Sequence, residues 1–294
     1  GGAPAGAAKP MTSTTTTQTA AGSGARTLTA PRAARRDVRR TFQSNALTLL
    51  AAGIFLFLYL PILILVIYSF NQNSVVGVWT GFSTRWYAEL LQDRALINSF
   101  RVSLWVAFWS TAISTVLGTL AAMALERYRF RGKLTFDATM YLPIIIPDIV
   151  MALSALLFFV LVAVPLSRYT ILVAHVAFNI SFVAVVVRGR LAEMDRGLEE
   201  AAADLGANAW TTFRRVTLPL LMPAIVSAAL LAFTLSLDDF VITFFVAGPG
   251  STTLPVRVYS MIKFGVTPEV NAILTLMLLG STALVVISLL LQRK

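Results

Sequence analysis

The sequence predicts an all-α membrane protein with six transmembrane helices. Of its 294 residues, 57% are hydrophobic and 13% are charged, whereas about 25% are charged in an average soluble domain. The mean hydropathy is +0.76, and the apolar residues are grouped into long runs that lack charge. This composition excludes a soluble enzyme, a disordered chain and a disulfide-stapled scaffold.

Six runs are long enough to cross a bilayer, which requires about 20 mostly apolar residues. They cover residues 45–68, 102–125, 138–164, 169–187, 219–246 and 270–292. The first two contain no charged residue, the fourth lies between Arg168 and Arg188, and the sixth runs to the basic carboxyl end. The third contains only Asp148, and the fifth contains only Asp238 and Asp239. We therefore predict a six-span membrane domain over residues 45–294.

The basic residues predict the orientation. Eighteen of the 24 Lys and Arg residues lie in the amino-terminal tail, in the loops after spans two and four, and at the carboxyl end. Because positive charge accumulates on the cytoplasmic side, we predict that both termini are cytoplasmic. The net charge of +10 then reflects topology and contact with anionic lipid, and it requires no nucleic-acid partner.

Residues 1–44 differ from the rest of the chain. They are rich in Ala, Thr, Gly and Arg and contain few large apolar residues. Such a segment buries too little surface to fold, and it lacks the short apolar core of a signal peptide. We predict a disordered, basic cytoplasmic tail that contacts lipid.

Motifs for catalysis and for cofactor binding are missing. The chain has no cysteine, and its one histidine, His175, lies inside a predicted span, where hydrogen bonding between helices is the favoured role. Residues 248–252 resemble a phosphate-binding loop but lack its lysine. No metal cluster and no pair of nucleophile and base is visible. We therefore expect no enzymatic activity, no bound metal and no ATP in this chain, so that any energy for work comes from a partner.

The loop over residues 195–217, between spans four and five, carries the strongest local pattern. Asp195 and Asn208 are suited to cap two short helices, and Ala201–Ala203 favours helix in the first. Gly206 is suited to end the first helix in a left-handed conformation. Trp210 and Phe213 are three residues apart and give the second helix an apolar face. A small amphipathic element of this kind is suited to insert into a groove of another protein.

This loop resembles the EAA loop of ABC importer permeases. The residues that carry the resemblance, with Val in the usual Ile position, are Glu200, Ala201, Ala202, Gly206, Val216, Leu218 and Pro219. The resemblance implies a type I importer (MetI-like) transmembrane domain. It also implies that this loop, with Trp210 and Phe213, docks on a separate ATPase subunit present in two copies. That subunit would bind ATP and Mg.

Residues 45–292 further resemble the second (PotC-type) permease of spermidine/putrescine importers. The matching segments include Ser69–Asn71, Trp86–Tyr87, Leu237–Phe240, Gly248–Pro249 and Pro268–Ala272. The resemblance implies a prokaryotic inner-membrane location, a second homologous permease and an extracytoplasmic binding protein as partners. Trp79, Trp86 and Tyr87 are candidates for docking that binding protein. A simple interfacial belt of aromatic rings is the alternative.

Carboxylates inside the spans are the candidate cargo ligands. An ionised carboxylate at membrane depth is costly and normally faces a cavity or a partner. We place Asp238, Asp239 and the following Phe240 on the pathway, and we expect only one of the two carboxylates to line it, because successive helical residues point about 100° apart. Asp148 is a weaker pathway candidate, since its position after Pro147 favours a role in capping a broken helix.

The resulting hypothesis is a permease that moves a polyamine by alternating access, driven by the partner ATPase. The same scaffold could instead import another small cationic or zwitterionic solute. An ion channel or secondary transporter that uses the three carboxylates is an alternative of a different class, and a receptor-like membrane scaffold is a third. The loop at residues 195–217 separates these hypotheses, because a channel has no use for a docking element.

Overall fold

A computed structural model describes the backbone of residues 32–74, 77–263 and 265–292. Within these ranges it describes side chains from residue 47 to residue 286, except residue 284. All regular structure in this part of the chain is helical, apart from one antiparallel bridge between Asn71 and Phe82. The molecule divides into two units between Leu58 and Tyr59, which are described separately.

The helices follow one another with short connections. They are α1 (Arg32–Tyr68), α2 (Arg85–Leu90), α3 (Arg94–Arg127), α4 (Lys133–Ile145), α5 (Asp148–Leu161), α6 (Arg168–Glu193), α7 (Gly197–Asp204), α8 (Ala209–Thr212), α9 (Leu218–Asp238), α10 (Val241–Val246), α11 (Leu254–Lys263) and α12 (Pro268–Gln292). A π-helical turn, Phe213–Thr217, joins α8 to α9.

The first helix begins earlier than predicted. Residues 32–44, predicted to be disordered, belong to α1, so this part of the prediction is wrong. Arg and Ala have high helix propensity, and this allows the helix to extend beyond the apolar run. Residues 1–31 lie outside the described part of the chain. In the first unit, the large apolar side chains from Leu47 to Leu58 are exposed, as expected for a helix that faces lipid.

Four described helical stretches are long and apolar enough to cross a membrane: Leu47–Tyr68, Arg94–Arg127, Arg168–Glu193 and Ala209–Asp238. Helices α4 and α5 form a fifth if they count as one span, although they meet at an angle of 112°. The third predicted span, residues 138–164, therefore contains a break after Ile145, and Asp148 begins the helix that follows, as expected from its position after Pro147. Pro147 forces Ile146 into an extended conformation, and this interrupts the helix. Helix α12 occupies the position of the predicted sixth span, and the count of six stays a prediction.

Helices α3, α6 and α9 form the core of the second unit. A Cβ on Gly118 of α3 would lie 2.7 Å from the Cβ of Val183 on α6, so glycine is needed for this close crossing. Ala228 and Ala232 of α9 are fully buried in the same region. These small residues of α3 and α9 thus pack within this chain.

A second cluster positions the short helix α10. Ile242 and Val246 of α10 are buried against Ala152 and Phe159 of α5 and against Ile171 of α6. The short helix that follows α9 is therefore fixed by the bent pair α4–α5 and by α6. Because α10 directly follows the end of α9, this packing also fixes the position of the chain there.

Candidate coupling loop and transport pathway

The loop between α6 and α9 (residues 195–217, the α6–α9 loop) folds as a helix, a break and a second helix, as its caps predict. Oδ1 of Asp195 accepts a bond from the backbone N–H of Gly197 at 2.9 Å, and Oδ1 of Asn208 accepts one from Thr211 at 2.8 Å. Gly206 has φ = +84°, a conformation in which a side chain is strained. Its N–H donates to the carbonyl of Ala203 at 2.9 Å, which closes the end of α7.

Several apolar residues of this loop are exposed. The side chain of Trp210 is 67% exposed, and its ring lies 5.7 Å from that of Phe213. Leu205, at the break, is 90% exposed. Of the other candidate residues, Glu200, Ala201, Gly206 and Pro219 are exposed and Ala202, Val216 and Leu218 are half-buried. The loop therefore offers an apolar surface that another protein could cover.

Charged contacts anchor the inner side of the loop. Oε1 of Glu199 accepts bonds from Arg127, at the end of α3 (3.1 Å), and from Oγ1 of Thr217 in the π-helical turn (2.8 Å). Next to this contact, Arg188 of α6 binds Glu126 of α3 at 3.3 Å. Glu199 thus joins α7, α3 and the start of α9. A displacement of α7 would act on all three, and a π-helical turn is a common feature of functional segments.

The fifth predicted span, residues 219–246, is also broken. Helix α9 ends at Asp238, Asp239 is extended (φ −64°, ψ 124°), and α10 starts at Val241. Oδ2 of Asp239 accepts bonds from the backbone N–H and the hydroxyl of Thr243, at 2.8 and 2.9 Å. A carboxylate with these partners ends one helix and starts the next, so the helix is interrupted within the predicted span.

A buried chain of hydrogen bonds connects α3 and α6 to the residues around this break. Nδ1 of His175 lies 2.7 Å from Oγ of Ser236 on α9, and Nε2 lies 3.2 Å from Oδ2 of Asp239. Oγ of Ser110 on α3 lies 2.9 Å from the same Ser236 oxygen. His175 is 2% exposed, and its hydrogen bonds link α6 to α9, as expected for the lone histidine. Removing one partner from such a site typically costs about 1–3 kcal/mol.

The two adjacent carboxylates point to different surroundings. Asp238 lines a cavity of about 520 Å³, whereas Asp239 lies among the hydrogen-bond partners described above. The cavity is otherwise almost entirely apolar. Its lining includes Leu90, Ile97, Phe100, Leu104, Phe233, Leu237, Ile273 and Met277. A carboxylate in such a wall can attract an ammonium group while the walls contact an alkyl chain.

The remaining pathway candidates lie elsewhere. Phe240 follows the break, and its ring lies 4.7 Å from that of Tyr259 on α11. Asp148 is the first residue of α5, directly after Pro147, and its side chain is exposed. It does not line the Asp238 cavity. This position fits the alternative in which Asp148 marks the start of a helix after a break.

The three aromatic candidates, Trp79 in the loop between α1 and α2 and Trp86 and Tyr87 in α2, differ in exposure. Trp86 is 7% exposed, and its indole N–H donates to the carbonyl of Asn71 at 2.7 Å. The hydroxyl of Tyr87 lies 2.7 Å from Oγ of Ser69. Trp79 is 47% exposed. The burial of Trp86 argues against direct contact with a docking protein, and Trp79 is the aromatic candidate that remains at the surface.

Comparison with protein families decides the class of this molecule. The family described as "Binding-protein-dependent transport system inner membrane component" matches residues 114–294, which is more than half of the chain. This chain belongs to that family. It is a multi-pass membrane component of a transport system and a permease subunit, not an enzyme.

Individual relatives in this permease family cover most of the chain. The putrescine transport system permease protein PotI of Escherichia coli K12 is 50% identical over 238 residues, which are 79% of this chain and 84% of that protein. The spermidine/putrescine permease PotC of Haemophilus influenzae is 45% identical over 241 residues, or 82% and 94%. The putative 2-aminoethylphosphonate permease PhnV of Salmonella paratyphi A is 30% identical over 235 residues, or 79% and 88%.

Solved structures share the fold. A bacterial ABC transporter that imports alginate superposes with a TM-score of 0.68 at 17% identity, covering 89% of this chain and 98% of that one. The MetNI methionine transporter in an inward-facing conformation gives 0.58 at 20% identity, covering 72% and 98%. These similarities confirm the predicted fold class, a MetI-like permease domain.

Sequence reasoning missed the long-range contacts that position the loop and the end of α9. Arg127 and Glu199 are 72 positions apart, and His175 and Asp239 are 64 apart. No local spacing connects such pairs. A weak signal existed for each, since Glu199 directly precedes the EAA residues and His175 is the one histidine of the chain.

Proposed function

We propose that this chain is one of two permease subunits of an ATP-driven polyamine importer, and that it forms the pathway for putrescine or spermidine by alternating access. The observation that carries this proposal is the 50% identity with a putrescine permease over 79% of this chain and 84% of that protein. The 45% identity with a spermidine/putrescine permease supports the same cargo class.

The cavity beside Asp238 is chemically suited to this cargo. A polyamine carries ammonium groups separated by methylene segments. Its ammonium would pair with the carboxylate of Asp238, and its methylenes would contact apolar walls such as Phe233 and Ile273. The pairing offsets the cost of keeping a carboxylate at membrane depth. A neutral solute would leave that charge unpaired.

The α6–α9 loop would provide the coupling. In this proposal, each of two ATPase copies binds ATP and Mg, and the copy that contacts this chain covers the exposed residues Ala201, Leu205 and Trp210. Closure of the ATPase would move α7, and Glu199 would pass the motion to Arg127 and Thr217. Alternating access then follows from two global states with different contacts to each ligand. Such a docking surface favours an importer over an ion channel, a secondary transporter or a receptor-like scaffold.

The side of the membrane opposite the ATPase would receive the cargo. With both termini in the cytoplasm of a prokaryotic cell, the loop between α1 and α2 faces outward, where a substrate-binding protein docks. Val78, Trp79 and Phe82 are all about half or more exposed there and offer an apolar contact. The second homologous permease would complete the pathway within the bilayer.

A zwitterionic cargo is the second candidate. The 30% identity with a putative 2-aminoethylphosphonate permease favours it, because that solute combines one ammonium with a phosphonate. The cavity lining argues for the polyamine, since it includes one carboxylate and no basic side chain to receive an anion.

The test is a solute panel on the complex reconstituted in liposomes with its ATPase, second permease and binding protein. ATP hydrolysis and uptake would be measured with putrescine, spermidine and 2-aminoethylphosphonate. We expect putrescine or spermidine to stimulate both activities. Stimulation by 2-aminoethylphosphonate alone would select the second candidate, and uptake of a polyamine without an ATPase subunit would reject the importer mechanism.

A further inference from the structure

His175 contacts the fifth span on both sides of its break. One ring nitrogen lies 2.7 Å from Oγ of Ser236, three residues before the break, and the other lies 3.2 Å from Asp239 and 3.1 Å from Oγ1 of Thr243, in or after the break. The ring is 2% exposed, and its own helix, α6, is part of the core. A single side chain therefore bridges the two halves of a discontinuous helix.

A single assignment of donors and acceptors is consistent with all the hydrogen bonds in this chain. Ser110 O–H donates to Ser236, Ser236 O–H donates to Nδ1 of His175, and Nε2–H donates to the carboxylate of Asp239. Thr243 supplies two more donors to the same carboxylate. The orientation of Asp239 is thus set by α6 and α10 together. Each member of this chain is buried or half-buried, so water does not readily replace a lost partner.

The backbone at Asp239 directs the two adjacent carboxylates to different surroundings. The two residues are consecutive, and the extended backbone at Asp239 turns the chain between them. With the Asp239 carboxylate held toward α6 and α10, the Asp238 side chain faces the cavity. If the Asp239 carboxylate were released, α9 and α10 could rejoin as a continuous helix. That change would rotate Asp238 relative to the cavity wall, because successive residues then differ by about 100°.

We propose that His175 is a positioning residue for transport: by bridging the two halves of the broken fifth span it aims the Asp238 carboxylate into the cavity. The proposal rests on the proposed function, in which cargo passes Asp238. His175 does not touch cargo in this account. It acts through Asp239, and its contribution is geometric.

The first experiment measures where position 238 points, without using cargo. The chain has no cysteine, so Asp238→Cys introduces a single thiol into this subunit. In the assembled complex, reaction of that thiol with a cationic methanethiosulfonate reports access from the cavity. Adding His175→Leu should slow the labelling about tenfold, the size expected when a hydrogen bond to a charged group no longer fixes the geometry.

Phe233→Cys is the matched control for this labelling. Phe233 lines the same cavity but lies six residues before Asp239, more than one helical turn from the break, so its labelling should not change when His175→Leu is added. Equal labelling of Asp238→Cys with and without His175 would overturn the proposal. A parallel loss at both positions would also overturn it, because His175 would then support the whole helix instead of aiming one residue.

The second experiment uses side chains that preserve one half of the bridge. In His175→Gln, an amide nitrogen can still donate to Asp239, whereas in His175→Asn the shorter side chain can reach only Ser236. We expect His175→Gln to retain putrescine uptake within about threefold and His175→Asn to lose about tenfold in kcat at similar KM. Equal uptake by the Gln and Asn variants contradicts the proposal.

Asn179→Leu controls for loss of a buried polar group on α6. Asn179 lies one turn further along α6 and donates to the carbonyl of Ala232, on one side of the break only. Its substitution should leave the labelling at position 238 unchanged. If the complex moves no polyamine at all, the proposed function fails, while the labelling result still decides the role of His175.

Discussion

The break between α9 and α10 lies within the fifth span and the α6–α9 loop lies just before it, but the two are built in opposite ways. At the break, the polar groups of Ser110, His175 and Asp239 are satisfied inside the chain. In the loop, the polar contacts lie on the inner side, and apolar residues such as Leu205 and Trp210 are exposed. The polar groups at the break find their partners within this chain, whereas the loop leaves an apolar surface uncovered.

This difference separates two roles in a transporter. In the proposed mechanism, Asp238 needs a fixed direction, and the closed hydrogen-bond network at Asp239 would provide it. A coupling element must respond to another protein, and exposed apolar groups allow binding and release. Substitutions at the break should therefore change how cargo is handled. Substitutions on the loop surface should change how the ATPase is bound or sensed.

The largest expected effect follows from removing the negative charge of Asp238 from the cavity wall. Asp238→Asn keeps the size of the side chain but removes its attraction for an ammonium, so putrescine uptake should fall about 10- to 100-fold with normal assembly of the complex. Uptake in liposomes and co-purification of the subunits measure the two quantities. Asp148→Asn is the control, since this exposed carboxylate lies off the cavity and should change uptake less than threefold or so. Equal losses in the two variants would remove the special role of Asp238.

The next effect tests the exposed surface of the loop. Trp210→Ala should leave the melting temperature unchanged, because the ring is 67% exposed, and should weaken ATPase binding about 30-fold, as at other aromatic hot spots. A titration of the ATPase against the permease in detergent measures the affinity. Trp109→Ala removes another exposed indole, on α3, and should not alter it. A loss of stability without a loss of affinity would show that Trp210 packs within the subunit.

The third prediction concerns the left-handed conformation of Gly206 in the α6–α9 loop. Gly206→Val places a branched side chain at φ = +84°, which costs about 1–2 kcal/mol, and it should reduce coupled uptake about tenfold while ATP hydrolysis continues. Gly189→Val adds the same side chain at a helical glycine with open space around it. We expect near-normal coupling in this control. Normal coupling in Gly206→Val would show that the left-handed turn is dispensable.

The smallest effect concerns the anchor of the loop. Glu199→Gln removes the charge opposite Arg127, whose side chain is only 11% exposed, and should lower coupled uptake about threefold. The matched control is Glu193→Gln, which alters an exposed pair with Arg190 at 3.7 Å and should have no measurable effect. The ratio of solute moved to ATP hydrolysed is the appropriate measurement. An unchanged ratio in Glu199→Gln would exclude this contact from coupling.

The sequence predicted the loop better than the break, and the reason is physical. The caps at Asn208 and Gly206 act on residues within three or four positions, so their chemistry is visible in a short window. The end of α9 depends on His175 and Ser110, which lie far away in the chain. Hydropathy cannot reveal this end, because the segments on both sides of the break are mainly apolar.

The third span illustrates the same limit. Pro147 indicated an interruption, and the structure places α4 and α5 at 112° to each other. The apolar run nevertheless reads as one continuous span, because composition does not record direction. Near α2, aromatic content suggested a surface for docking, but Trp86 is buried in a cluster with Leu254 and Ile273, and its indole N–H bonds to Asn71. Exposure depends on tertiary contacts that a residue type does not fix.

The most direct test of the coupling mechanism is a photo-crosslink from the loop. A photoreactive amino acid at Ala201 of the assembled complex should form a product with the ATPase subunit, and its yield should change when ATP is added. The same amino acid at Val116, an exposed residue within α3, should give no ATPase product. If position 201 yields no ATPase product in a complex that hydrolyses ATP and moves cargo, the α6–α9 loop is not the coupling element.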